Sequence, residues 1–144
     1  MPDNLLIKTT MNNFMSSMTS EFAEDFLQLL LRLMSIVFLF DHNFRKNIEQ
    51  FKGRYQFKSK DGCITVAALF EDNRLEVLEE EIPTPDITIL FKDGKALMGL
   101  LLTPKPDILG SMLRQEVSLD GNLNYLYKFA FMAKRLQLMA SGEI

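Results

Sequence analysis

The stretch from Glu21 to Phe40 reads as a helix with more apolar surface than one buried face can absorb. Glu21, Glu24 and Asp25 place negative charge in its first turn, where the helix dipole favours it, and Ser20 is the expected N-cap. At about 100° per residue, Glu21, Glu24, Asp25, Gln28, Arg32 and Ser35 fall on one narrow stripe, and the remaining positions are apolar. A surface helix needs a buried stripe of only a little over about 100°, and this arc is more than twice as wide. A second face must therefore be buried: between the sheet and another subunit, along an apolar cavity, or in a bilayer. The apolar portion Leu29 to Phe40 contains Arg32 and Ser35 and falls short of the roughly 20 residues a bilayer requires, which argues against a span.

Ahead of this helix, Met1 to Ser20 is polar and Met-rich and reads as a flexible N-terminal arm with one helical turn near Phe14, leaving residues 21–144 as a single domain. It has neither the basic start nor the small-residue cleavage site of a secretory signal. The ending Ser141-Gly-Glu-Ile144 is not of the peroxisomal type. One cysteine, Cys63, forms no internal disulfide and suits a reducing compartment, so the expected location is cytoplasmic. Cys63 itself reads as a small strand residue. A net charge of −3 with no run of Lys or Arg gives no electrostatic reason to expect nucleic acid.

A second helix is expected over Asn43 to Phe51, capped by His42 or Asn43 and closed by Gly53. Strands follow. Arg54 to Lys58 alternates strictly, with Tyr55 and Phe57 on one face. Ile64 to Phe70 is apolar on both faces and so more central. Arg74 to Glu80 is the third strand, and Glu79-Glu-Glu81 is its solvated end. Pro83 and Pro85 interrupt the chain before a fourth strand, Ile87 to Phe91. Short turns between the first three favour antiparallel hairpins. The expected class is α+β: a five-stranded, mostly antiparallel sheet with helices packed on one face.

The last third runs Asp86-Ile87-Thr88-Ile89, a short apolar helix with Leu97 and Gly99, then Pro106-Asp107 opening another helix. Glu116 to Leu119 is a fifth short strand, Asp120-Gly121 turns it, and Asn122 caps a final helix through Met139 that includes Leu126. This order resembles the sterol-carrier-protein-2 (SCP2) lipid-binding domain family over roughly Glu21 to Leu138. The resemblance implies an apolar tunnel between sheet and helices that takes fatty acyl, isoprenoid or sterol-like ligands. Nine Met and twelve Phe in 144 residues give adaptable, bulky apolar lining.

The first functional reading is non-catalytic binding and transfer of a lipid or other apolar small molecule, with transient membrane contact. The expected wall is Phe22, Phe26, Leu30, Leu33 and Val37 from the long helix with Phe129 and Ala133 from the last one. Lys128, Lys134 and Arg135 read first as an exposed helix face with favourable charge near the C-terminus, the alternative being that one or two of them meet a lipid carboxylate or headgroup at a tunnel mouth. The second reading is an interaction module, a homodimer or a partner of a lipid or quinone pathway enzyme, since the resembled fold also occurs as an accessory domain. An enzyme is not expected. One His and one Cys provide no nucleophile with a base beside it in sequence, and no cofactor or metal cluster is legible.

Overall fold

Tyr55 and Phe57 alternate with Arg54, Gln56 and Lys58, and this alternation sets the two faces of the sheet in a computed structural model that describes residues 2–103 and 105–142. Before Ser20 it describes side chains only at Leu5, Leu6 and Thr9. The strands are β1 (Gly53–Ser59), β2 (Thr65–Glu71), β3 (Arg74–Leu78), β4 (Ile87–Phe91) and β5 (Val117–Gly121), in the order β3-β2-β1-β4-β5. All pairings are antiparallel except β1 with β4, which is parallel. Registers Tyr55↔Ala68, Phe57↔Val66, Tyr55↔Ile87 and Phe57↔Ile89 put the apolar members of neighbouring strands on one face. That face carries α1 (Pro2–Phe40), α3 (Gly94–Leu102) and α5 (Leu123–Ala140) over a common core, with α2 (His42–Arg45) and α4 (Ile108–Leu113) at its margins. The expected fold class is the one observed.

The parallel pair requires a crossover, and residues 79–86 provide it by passing back to the start of β4. Gln56, buried in the middle of β1, holds this connector. Its Nε2 donates to Val66 O at 3.2 Å and Glu80 O at 3.3 Å, and Ile82 N donates to its Oε1 at 2.7 Å. At the far end Asp86 Oδ2 accepts from Arg54 N at 2.8 Å, and Asp86 N donates to Arg54 O at 2.9 Å. The aspartate of the Asp-Ile-Thr-Ile motif therefore fixes where β4 joins β1.

Several expected boundaries are corrected. Helix α1 begins at Pro2 and runs without a break through the stretch read as an arm. Pro is well placed at a helix start, and Met11, Met15, Met18 and Phe22 recur at helical intervals that continue the pattern N-terminally. Ser20 is thus no N-cap. It is buried inside the helix, where its Oγ donates to Asp61 Oδ2 at 2.6 Å and accepts from Gly94 N at 3.2 Å. Asp41, not His42 or Asn43, caps α2, accepting from Phe44 N at 2.9 Å. That helix gives way to a 3-10 turn at Lys46–Ile48 because Asn47 Nδ2 bonds the Phe44 carbonyl at 2.8 Å and Gln50 takes the left-handed conformation at φ 58°. Gly53 is the first residue of β1 rather than a helix terminator. Cys63 is exposed in the loop before β2 rather than in the strand. Asp120 and Gly121 belong to β5, paired with Thr88 and Ile87, and do not form a turn. The final Glu143 and Ile144, part of the ending read for targeting, lie outside the described residues.

Candidate functional site

The broad apolar arc of α1 divides into two separate faces. Ala23, Leu27, Leu30, Leu31, Met34 and Phe38 are buried in the core. Phe22, Leu29, Leu33, Ile36, Leu39 and Phe40 are exposed. Of the expected wall, Leu30, Phe129 and Ala133 are buried together in one cluster, with Phe26 and Val37 half-buried against it. Phe22 and Leu33 do not reach it; they turn to the outer side of α1. Stepping round a helix placed Phe22 beside Phe26, but only the seating of α1 on the sheet decides which side of that stripe goes inward.

Where α5 meets the sheet, aromatic rings are in contact. Phe129 lies 5.0 Å from Phe57 and 6.4 Å from Tyr55, Tyr125 lies 5.7 Å from Tyr55, and Phe51 lies 5.3 Å from Tyr125. The buried Tyr55 hydroxyl donates to Tyr125 O at 2.8 Å, which ties the sheet to α5. Burial pushes this phenol well above its ordinary range, so it stays a neutral donor. Of the basic residues considered for a headgroup, Lys128 is engaged, with its Nζ 4.7 Å from the centre of the Phe51 ring.

An open cleft of about 660 Å³ lies between α3 and α4. Ala96, Met98, Gly99, Leu100 and Leu102 supply its apolar part, and Lys92, Lys95, Lys105 and Arg114 supply cations. Three acids also line it, and each has a partner within the fold. Asp93 caps α3, accepting from Ala96 N at 2.9 Å. Asp107 caps α4, accepting from Gly110 N at 2.9 Å. Glu116 pairs with Arg114 Nε at 2.8 Å, and that hydrogen bond holds its carboxyl below the ordinary value. Among the described residues, Lys92, Lys95 and Lys105 enter no ion pair. A ligand here meets apolar side chains of α3 together with ammonium groups near both ends of that helix. Leu100 belongs both to the cleft and to the core cluster. A second depression of about 630 Å³ lies at β2 and β3, where Lys52, Arg54 and Arg74 alternate with Glu71, Asp72 and Glu76. Lys52 and Glu71 already pair there at 3.2 Å.

No group of three or more His, Cys, Asp or Glu side chains among the described residues is placed to hold a metal ion. No helix among them is long and apolar enough to cross a membrane. No family model and no curated protein matches the sequence. Solved structures do. A structure described as "UbiJ-SCP2 Ubiquinone synthesis protein" superposes with a TM-score of 0.61 at 14% identity, covering 81% of this chain and 93% of that one. The chain has the SCP2 fold. The sterol carrier protein domain 2 of Helicoverpa armigera matches with a TM-score of 0.50 at 14% identity, covering 73% of this chain and 83% of that one. The inverting sec-alkylsulfatase Pisa1 from Pseudomonas sp. matches at 0.51 with 17% identity, over 62% of this chain but only 14% of the sulfatase. At these identities the SCP2 likeness establishes the architecture. The resemblance read from Asp86-Ile-Thr-Ile and the order of elements after it is thereby borne out as a fold.

The sequence did not point to the α3–α4 cleft. Lysines on short helices read as solvated faces, and nothing in their spacing shows that the neighbouring aspartates are consumed as caps. The Pro-containing loop between two short apolar helices was the available signal, because proline marks the end of one helix and the start of the next.

Proposed function

We propose that the chain binds a lipid-class molecule without performing chemistry on it, and that the ligand docks in the α3–α4 cleft with an anionic end toward Lys92, Lys95 and Lys105. The observation that carries this reading is the cleft's composition: an apolar part made by Met98, Leu100 and Leu102 beside three lysines, Lys92, Lys95 and Lys105, that enter no ion pair among the described residues. Its volume lies within the range of roughly 300–1,000 Å³ usual for small-molecule sites. Burying a tail is worth about 0.8 kcal/mol per methylene, so a lipid needs few polar contacts to bind. The tail's way inward is past Leu100, toward the cluster that holds Leu30, Phe129 and Ala133 with Phe26 and Val37 at its edge. Leu102, Leu109 and Leu113 are exposed on α3 and α4 and supply the transient membrane contact needed for loading. The two neighbours described as a ubiquinone synthesis protein and a sterol carrier support a lipid ligand class for this fold, isoprenoid or sterol-like among the candidates.

The test is native mass spectrometry of the purified chain, followed by organic extraction and identification of any bound lipid. A near-stoichiometric anionic lipid that is lost when Lys92, Lys95 and Lys105 are all changed to Glu supports the reading. Delipidated protein that neither carries nor rebinds a fluorescent fatty acid sinks it and leaves the interaction-module reading.

A further inference from the structure

Phe22, Phe26, Leu29, Leu33, Ile36 and Phe40 follow one another at intervals of four, three, four, three and four residues. That alternation is the spacing of a helix–helix seam. At about 100° per residue the six fall within an arc of about 80°. Five of them are exposed, from 41% at Leu33 to 84% at Phe40, while Phe26 is half-buried. The stripe covers 18 rises of the helix, about 27 Å. It lies on the side of α1 away from Leu27, Leu31, Met34 and Phe38, which already anchor the helix to the core. Core packing therefore leaves it unsatisfied.

The charges beside the stripe select what covers it. Asp25 and Arg32 flank it on the same side, seven residues apart, both exposed. Among the described residues neither enters an ion pair. On the other flank Ala23 and Leu30 are buried and Val37 is half-buried, so no charge is presented there. A parallel partner of the same sequence would set Asp25 level with Asp25 and Arg32 level with Arg32. An antiparallel one sets Asp25 of each copy against Arg32 of the other, twice, about a dyad near Gln28. Within about two residues, roughly 3 Å, of that register Phe26 packs on Leu29 and Phe22 on Leu33 of the second copy, and the reverse. Ile36 and Phe40 then meet the part of the second copy's α1 that precedes Ser20, which is helical from Pro2. A surface complementary to itself under a two-fold rotation is the mark of an isologous dimer. Large apolar side chains exposed by about half offer on the order of 100 Å² each, so the five exposed members supply more than half of the roughly 800 Å² per partner of a standard interface.

We propose that this face of α1 is covered by α1 of a second copy of the chain, packed antiparallel, with reciprocal Asp25–Arg32 pairs fixing the register. This goes beyond lipid binding and does not rest on it, because the seam and the α3–α4 cleft share no residue.

Sedimentation equilibrium of the full chain under reducing conditions tests it. The wild type is expected to dimerise, and Leu29→Glu combined with Leu33→Glu is expected to give a monomer with unchanged far-UV circular dichroism. Asp25→Arg alone and Arg32→Asp alone are each expected to raise the dimer dissociation constant at least about tenfold, and the two together to restore it. A wild type that stays monomeric at about 100 μM overturns the proposal. So does a dimer indifferent to Leu29→Glu with Leu33→Glu, or single reversals that the double exchange fails to rescue. Lipid occupancy by native mass spectrometry is read in parallel, so failure of the dimer and failure of the lipid reading are separate results.

Discussion

Ser20 on α1 donates to Asp61 Oδ2 at 2.6 Å, across 41 residues of sequence. The same hydroxyl accepts from Gly94 N at the start of α3, and Asp61 accepts in addition from Ser59 Oγ and from Cys63 N at 3.0 Å. One carboxylate and one hydroxyl thus tie the long helix, the β1–β2 loop and α3 together.

Burial by itself would raise the Asp61 carboxyl, but the hydrogen bonds from Ser20, Ser59 and Cys63 outweigh it and hold the group below its ordinary value. The sign follows. A carboxyl depressed in the folded state contributes stability in full above the ordinary carboxylate range, and that contribution fades as pH falls through the folded value. Ser20→Ala removes one of these bonds and leaves Gly94 N without its partner. It is expected to cost about 1–3 kcal/mol in urea unfolding at neutral pH. The gap from wild type is expected to narrow only as pH falls below the ordinary carboxylate range, through the depressed value at which folded Asp61 takes up its proton. An equal gap at every pH counts against a charge-assisted bond.

Gly121 ends β5 opposite Ile87, at φ 131°. A Cβ added there would stand 2.5 Å from Asp86 O and 2.8 Å from Ile87 Cα, both backbone atoms that cannot move without shifting β4. Gly121→Ala is therefore expected to destabilise by about 2–4 kcal/mol, in the upper range for single substitutions. Gly142, also at positive φ, meets nothing within 4 Å and is the control: Gly142→Ala is expected to cost clearly less. Equal effects at both positions would mean that φ alone, not the approach to β4, sets the requirement for glycine.

What the sequence made legible follows from how local each signal is. The alternation of Tyr55 and Phe57, the Asp86-Ile-Thr-Ile strand and the Asn122 cap, which accepts from Asn124 N at 2.9 Å, depend on neighbours in the chain and could be read directly. Ser20 could not be. Its position before an acidic first turn is that of an N-cap, and only its burial against Asp61 and Gly94 shows its role in tertiary structure. The two-sided arc of α1 was visible as an excess of apolar surface, yet the division into Leu27 and Phe38 inside and Leu29 and Phe40 outside depends on the angle at which the sheet receives the helix. Gln56 sat in an alternating strand as an outward polar residue, because the connector that covers it arrives from 24 to 26 residues later.

Gln56 supplies the third prediction. Gln56→Leu is close in volume but leaves Ile82 N and Val66 O, both in a buried setting, without their side-chain partner. The expected loss is about 2–3 kcal/mol, from the desolvation cost of the orphaned groups rather than from packing. Hydrogen exchange locates it: the Ile82 amide is expected to lose protection first, while the amides of β2 keep theirs. Uniform loss of protection across the sheet would instead assign the cost to β1 as a whole.

Gly99 separates the cleft from the stability of the fold. It lies in α3, lines the cleft, and an added Cβ there meets nothing within 4 Å. Replacing a helical glycine lowers backbone entropy in the unfolded chain, so Gly99→Ala is expected to stabilise by about 0.5–1 kcal/mol. Gly99→Leu gains the same backbone advantage and projects a branched side chain into the space between α3 and α4. If the cleft is the lipid site, Gly99→Leu lowers the affinity for a fluorescent fatty acid by at least about tenfold while its melting temperature equals or exceeds the wild type's. The Ala variant binds nearly normally, which rules out a backbone effect. Undiminished binding by the Leu variant places the ligand elsewhere, and the cluster of Leu30, Phe129 and Ala133 becomes the site to probe next, with Ala133→Phe as the filling substitution.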